Sequence, residues 1–371
     1  MRAGIILLLT LIYFLQGVNS GAPIVLALLG VVLLFSFTQR IAIPFYFILI
    51  ILVYLPFLII GISNNHTDPQ IDIKFQLFYL IFWLALIQFR DIYIVEVLYI
   101  INALVLLLYI ALSFNLIPNF WSWGTFGLGG RMYGPPIISV ILLLFFYVIK
   151  EKPLDWIAFS AFIIGLASIV LTTNFMNLII VVGLFLLLAL DFQSIGKTAG
   201  AVIVLVLSGY VFRDFLPDIL ASKMNYLFRP WEYASFQMRI IDLVQVLGNT
   251  RFDFETIFFG EGFGATSRVF RVNTIAPSLS GYYNFHEIDN GFYYVFHRGG
   301  LALLLIFFLS HYFLLKLIPS LKGRLALALI VLVTNLLTIH YFTYLFYLLI
   351  PYLIIKEWGF KRGFLKLDVG L

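Results

Sequence analysis

The stretch Tyr283–Gly300, YNFHEIDNGFYYVFHRGG, runs straight into LALLLIFFLSHYFLLKL, which ends at Leu317. It joins a long polar loop to a very apolar segment and collects His286, Asp289, Asn290, His297 and Arg298 at the join. Ionisable groups at a bilayer are costly to bury, so each is by default a candidate for function.

Composition extends that reading to the whole chain. Hydrophobic residues make up 63% of the 371 and charged residues 11%, against about 45–50% and about 25% in ordinary soluble domains. A soluble fold of this size cannot hide so much apolar surface, so lipid must cover it. The fold class expected is an all-α, polytopic membrane helix bundle with one large folded loop. Apolar runs of helix length fall at 3–16, 22–37, 41–61, 75–89, 92–113, 135–149, 154–172, 175–191, 198–212, 290–317, 325–338 and 341–356. That is about twelve spans, several of them shorter than the ~20 residues an isolated span needs. No signal-peptide cleavage pattern follows the first run, which is therefore kept as a span. The chain has no cysteine, which excludes a disulfide framework and thiolate metal sites.

Charge orders the spans. With a cytoplasmic amino terminus, the inner connections hold Arg40, Arg90, Lys150 with Lys152, Lys197, and Lys316 with Lys322 and Arg324. The tail adds Lys356, Lys361, Arg362 and Lys366. The short outer connections around Asn19, Asn174 and Ile339 hold no Lys or Arg, and the one around Asn64 has Lys74 alone. The positive-inside rule then puts both termini in the cytoplasm. This divides the chain into spans at 1–212 with an outer loop at 114–134, a large outer loop at 213–289, and closing spans with a cytoplasmic tail at 290–371.

The loop 213–289 carries seven Lys or Arg and nine Asp or Glu; long loops cross the membrane largely regardless of charge. Pro230 suits a helix start, and Ile240, Leu243, Val244 and Leu247 repeat at helical period until Gly248. Phe258–Gly264, FFGEGFG, follows. Its glycines at 260, 262 and 264 suit a tight turn whose backbone N–H groups can cradle an anion.

The order of these features resembles the O-antigen polymerases and ligases, polytopic membrane enzymes that handle undecaprenyl-diphosphate-linked sugars on the outer face of the bacterial inner membrane. The resemblance covers roughly residues 115–310. Gly130-Arg131-Met132-Tyr133-Gly134-Pro135-Pro136 is similar to a glycine–arginine element before a proline in an outer loop. Arg239 stands where family members place an arginine near the start of a loop helix. Gly260, Gly262 and Gly264 match an "fGxGfG" turn, and Asp289-Asn290, nine intervening residues and then Gly300 match a polar pair and a glycine opening the next span. In the ligase branch the polar pair is His-Asn and the histidine is thought to activate the acceptor. Here Asp289 holds that place with His286 upstream, which favours a polymerase. A second departure is the turn Thr172–Asn177, which lacks the arginine many members carry. Partners implied are the undecaprenyl-diphosphate-linked oligosaccharide, the lipid bilayer, and a chain-length regulator and flippase of the same route; no nucleic acid is expected.

Such a transfer needs a base for an acceptor hydroxyl and cations for a diphosphate leaving group. His286 and Asp289 are the candidate catalytic pair, with either as the base. Arg131, Arg239 and Arg298 are the candidate diphosphate contacts, with Gly262, Gly264, Asn290 and Tyr293 beside the substrate. No Asp-x-Asp or His-rich cluster suggests a metal, and no cofactor is expected. A helix starting near Phe285 would align His286, Asp289 or Asn290, Tyr293, His297 and Gly300 as one polar stripe.

The same residues also have plain structural readings. Asp289 and Asn290 suit helix caps, and Arg298 can simply pair with Glu287 or another loop carboxylate. His297, and the Trp121–Trp123 pair as part of an aromatic belt, read as structural. Two other functions stay open: a ligase passing the glycan to a final acceptor, and a transporter or flippase. No internal repeat of the kind common in transporters is present.

Overall fold

The structure, a computed structural model, describes residues 45–64, 66, 72, 99–100, 103–104, 107–108, 111–112, 116–118, 135–172, 175–189, 229–272, 280–286, 288–338 and 354. The apolar runs expected at 3–16, 22–37, 75–89 and 198–212, the run 341–356 apart from position 354, and Arg131, the Trp121–Trp123 pair and His340 lie outside the described residues.

The described chain is mostly helical. Six of the apolar runs are helices: α1 Phe45–Ser63, α2 Pro135–Ile149, α3 Trp156–Thr172, α4 Phe175–Ala189, α7 Gly291–Leu317 and α8 Leu321–Leu337. The loop supplies a 3-10 turn at Pro230–Glu232, helices α5 Ala234–Asn249 and α6 Phe254–Phe259, and strands β1 Ser267–Arg271 and β2 Gly281–Phe285. Among the described residues one helix, α7, is long and apolar enough to cross a membrane, with a mean hydropathy of 2.0. Leu52–Ser63, Val140–Ile149, Trp156–Gly165 and Met176–Ala189 are shorter apolar helical stretches.

The elements fall in two compact units. One holds α2, α3, α4 and the first part of α8. Its local rules are simple. Prolines 135 and 136 open α2, where a missing N–H costs nothing. Asp155 caps α3 by accepting from the N–H groups of Ile157 and Ala158 at 3.0 and 2.9 Å, and Tyr147 donates to its other oxygen at 3.0 Å. At Gly165 a Cβ would stand 2.8 Å from Val140 Cγ1, so the missing side chain lets α3 and α2 close up. Phe162 and Phe185 stack at 3.7 Å between α3 and α4.

The other unit holds α1, the chain from Trp231 through α7, and the end of α8. Its loop contains an antiparallel hairpin, β1 against β2, pairing Ser267 with Phe285 through Arg271 with Gly281. This corrects the all-α expectation for the loop. Alternation at Arg268–Arg271 and the aromatic run Tyr282–Phe285 favour strands.

Helix α5 packs on this hairpin with a face that keeps Leu243 but is otherwise rotated from the one its period suggests. Gln245 behaves as a third strand would: its Oε1 accepts from Phe270 N at 2.7 Å and its Nε2 donates to Phe270 O at 3.3 Å. Asn249 donates to Arg268 O at 3.0 Å. Asp242 and Val246 are therefore buried and Gln245 and Asn249 reach the hairpin backbone, while Ile240 and Val244 are exposed, Val244 by 63%. The open edge of β1 needs donors and acceptors, and amide side chains satisfy it where Ile and Val cannot. Val246, Val269, Ile288 and Tyr293 form the small core beneath, with Leu243 and Phe285 against it.

Candidate functional site

The polar stripe expected from a helix beginning near Phe285 is not the arrangement found. Phe285 closes β2 against Ser267, and α7 starts at Gly291. Asn290 Oδ1 accepts from Tyr293 N at 2.8 Å, which caps the helix. His286 and Asp289 therefore lie on the connection above the helix rather than on its face. Asp289 turns outward to Arg239, whose Nε donates to its Oδ2 at 2.9 Å. Both side chains are partly exposed, 24% for the arginine and 50% for the carboxylate.

One turn along α5, Asp242 accepts from Arg271 at 2.7 Å. Burial raises the Asp242 carboxyl above its usual range, Arg271 opposes the rise and Asp289 adds to it. Four charged groups of alternating sign thus line the top of α7, joined through α5. The Arg239 pair is open to solvent and is worth about 0–1 kcal/mol, so an incoming anion can displace Asp289 at little cost.

Below this surface lies a second cluster that is sealed. Arg298 is 1% exposed. Its Nε donates to Asp72 Oδ2 at 2.9 Å, one terminal nitrogen donates to His297 Nδ1 at 2.9 Å, and the other donates to the backbone carbonyl of His286. Asp72 is buried too, and also accepts from the Tyr294 hydroxyl and, at 2.6 Å, from Gly264 N. Because a guanidinium is a donor only, His297 Nδ1 must accept, and its hydrogen sits on Nε2, 4.0 Å from Glu261 Oε2. Tyr293 stacks on His297 with ring centroids 5.2 Å apart and shares a hydrogen bond of 3.1 Å with Thr250.

The glycine turn explains why the cluster is held so firmly. Helix α7 breaks at Gly299 and Gly300, the latter at φ 57 and ψ −156, a region open to glycine alone. The break leaves the carbonyls of His297 and Arg298 without helical donors, and the turn replaces them: Glu261 N donates to His297 O at 2.8 Å and Gly262 N to Arg298 O at 3.1 Å. Phe263 N continues to Phe57 O at 3.0 Å, and Gly264 N ends on Asp72. Four consecutive N–H groups thus bind one broken helix, one neighbouring helix and one carboxylate. The anion cradle expected at Gly262 and Gly264 is filled from within the chain, by Asp72.

Gly262 has φ 87, and a Cβ on it would stand 2.6 Å from Gly61 Cα. Gly262→Ala is expected to lower stability by about 2–3 kcal/mol, from left-handed strain and overpacking together. Thermal unfolding of the purified protein in detergent checks this; an unchanged midpoint would contradict the packing described.

The expected site residues therefore separate into two layers. Asp289 and Arg239 are brought together near the surface, His286 lies on the same connection three residues before Asp289, and Asn290 is the cap. Arg298 and Tyr293, expected to touch substrate, are placed in the interior and hold the connection in position instead. Asp72 was missed on sequence. It lies between the apolar runs 41–61 and 75–89, an acid at a span boundary like Asp289, and that rule alone points to it. Among the described residues no group of three or more His, Asp or Glu has the arrangement of a metal site. Comparison of the chain with protein-family models, curated proteins and solved structures returned no match.

Proposed function

We propose that this chain is a membrane glycosyltransferase, polymerising undecaprenyl-diphosphate-linked oligosaccharide repeat units into O-antigen or a related surface polysaccharide. In this reading it is a bundle of about twelve spans in the bacterial inner membrane, with both termini cytoplasmic and the 213–289 loop in the periplasm. The growing lipid-linked chain is the donor and a lipid-linked single repeat is the acceptor.

The observation that carries the reading is the partly exposed Arg239–Asp289 pair on the connection that leads from His286 into a membrane-length helix. The donor diphosphate takes Arg239, with Arg131 as a second contact, and so frees the Asp289 carboxylate. Asp289 or His286 removes the proton of the acceptor hydroxyl. The acceptor oxygen forms the new bond to the anomeric carbon as the bond from that carbon to the diphosphate oxygen breaks. Undecaprenyl diphosphate leaves with the electron pair, its charge met by arginine. Arg298 serves as a positioning residue, since it holds the backbone of His286 from below.

The test is the size distribution of lipid-linked glycans in a strain lacking the protein. Single repeats should accumulate on the outer face and be converted to long chains by wild type. Arg239→Ala should convert them about 10²–10³-fold more slowly, the usual loss of one donor to a developing anion. Full activity of a well-expressed Arg239→Ala protein removes Arg239 from the mechanism. Long lipid-linked chains that never reach a final acceptor identify a ligase instead.

A further inference from the structure

We propose that the phenylalanines of α6 and its approach form a foot seated in the lipid at the membrane surface, extending the lipid-facing side of α7. The proposal rests on α7 spanning a membrane and not on the enzymatic reading.

Phe252, Phe254, Phe258 and Phe259 fall within eight residues and are 58%, 69%, 42% and 48% exposed. In water this is an unfavourable arrangement, because large apolar side chains cluster here exposed. The segment is not loose. Asp253 caps α6 by accepting from Thr256 N at 2.7 Å, and that N–H holds the carboxyl below its usual range. Phe254 and Phe258, one turn apart, have ring centroids 4.6 Å from each other.

Its neighbour identifies the occupant. Helix α6 lies directly on the break in α7, where a Cβ on Gly300 would be 2.6 Å from the carbonyl oxygen of Ile257. The break is also where the burial of α7 changes. Tyr293, Tyr294, Val295, His297 and Arg298 before it are buried, whereas Leu301, Leu305, Phe308 and Leu309 after it are exposed. An exposed leucine face on a helix of this length and hydropathy is the face turned to acyl chains. The phenylalanines stand on the helix that abuts the break, where that surface begins. From Leu301 to Leu317 the helix rises only about 25 Å, short of a hydrocarbon core about 30 Å thick. An apolar foot at the break makes up the difference, and Arg251 beside it suits the headgroups.

The chain has no cysteine, so single cysteines carry a nitroxide label at one place only. Labels at Phe254→Cys and Phe258→Cys are compared with Leu305→Cys on α7 and Val272→Cys at the end of β1, in nanodiscs of phosphatidylcholine and phosphatidylglycerol. Collision with oxygen reports lipid, and collision with a nickel chelate reports water. Expected is an oxygen-to-nickel ratio at both positions several-fold above that at Val272→Cys and close to that at Leu305→Cys. A water-like ratio at the two phenylalanine positions overturns the proposal. So does protection from both reagents, which would mean protein cover, such as a second copy of the chain. A water-like ratio at Leu305→Cys as well overturns the membrane span itself, and the foot with it.

Discussion

Replacing Asp72 by alanine is expected to cost about 3–5 kcal/mol of stability, because it leaves the Arg298 guanidinium buried and uncompensated. The estimate follows from the burial of both partners and from the number of groups that meet at the carboxylate. Arg298, Tyr294 and Gly264 all donate to it, so its loss orphans three donors at once. Asp72→Asn should be nearly as harmful. It keeps the shape, and its amide nitrogen can donate to the Tyr294 hydroxyl, but it removes the charge that balances the buried guanidinium. Arg298→Met should cost a similar amount from the other side. The double variant Asp72→Ala, Arg298→Met removes both charges, and should be less destabilised than the two single changes added together. Unfolding in detergent or nanodiscs measures all four proteins. Single-variant losses below about 1 kcal/mol, the range of an exposed pair, would show that the pair is open to water.

This cluster also shows where the sequence was legible. Helix positions could be read closely wherever apolar runs were bounded by caps or breakers, as at Pro135–Ile149 and Phe175–Ala189. The order of loop helix, glycine turn and polar pair was legible as well. The partners were not. Asp72 and Arg298 are 226 residues apart, and nothing in local pattern joins them. The glycine turn was read correctly as a place of exposed N–H groups. Its anion, however, is an aspartate of the same chain, and its other N–H groups serve a helix break that only the backbone reveals.

Helix α5 failed for a different reason. Its period named an apolar face at Ile240, Leu243, Val244 and Leu247, and such a face ordinarily turns to the core. Leu243 does pack there, but the open edge of β1 takes Gln245 and Asn249 and leaves Ile240, Val244 and Leu247 exposed. Since the hairpin itself was not expected, the demand for those amides was invisible. Tyr293 and Arg298 were drawn to the surface by the same habit of reading polar residues as ligand contacts. Both are instead supports, one ring or one guanidinium beneath His286 and Asp289.

That layering makes the double variant His286→Ala, Asp289→Asn the sharpest probe of chemistry. Polymer formation should fall by about 10²–10⁴-fold, the usual contribution of a positioned general base. Stability should hardly change, because both residues lie on the connection outside the core, and the Arg239–Asp289 pair is partly exposed. Asp289→Asn alone still accepts from Arg239 through its amide oxygen, so it tests basicity with the geometry preserved. A large loss from that single change, with His286→Ala nearly silent, makes the carboxylate the base. The reverse result makes it the imidazole, with Asp289 as the group that Arg239 releases. Arg298→Met moves both residues together, since the guanidinium holds the His286 carbonyl; its loss of activity should therefore accompany a loss of stability, whereas the surface variants lose activity alone. A double variant that is stable and fully active would remove both residues from the reaction and leave the charged surface as structure only.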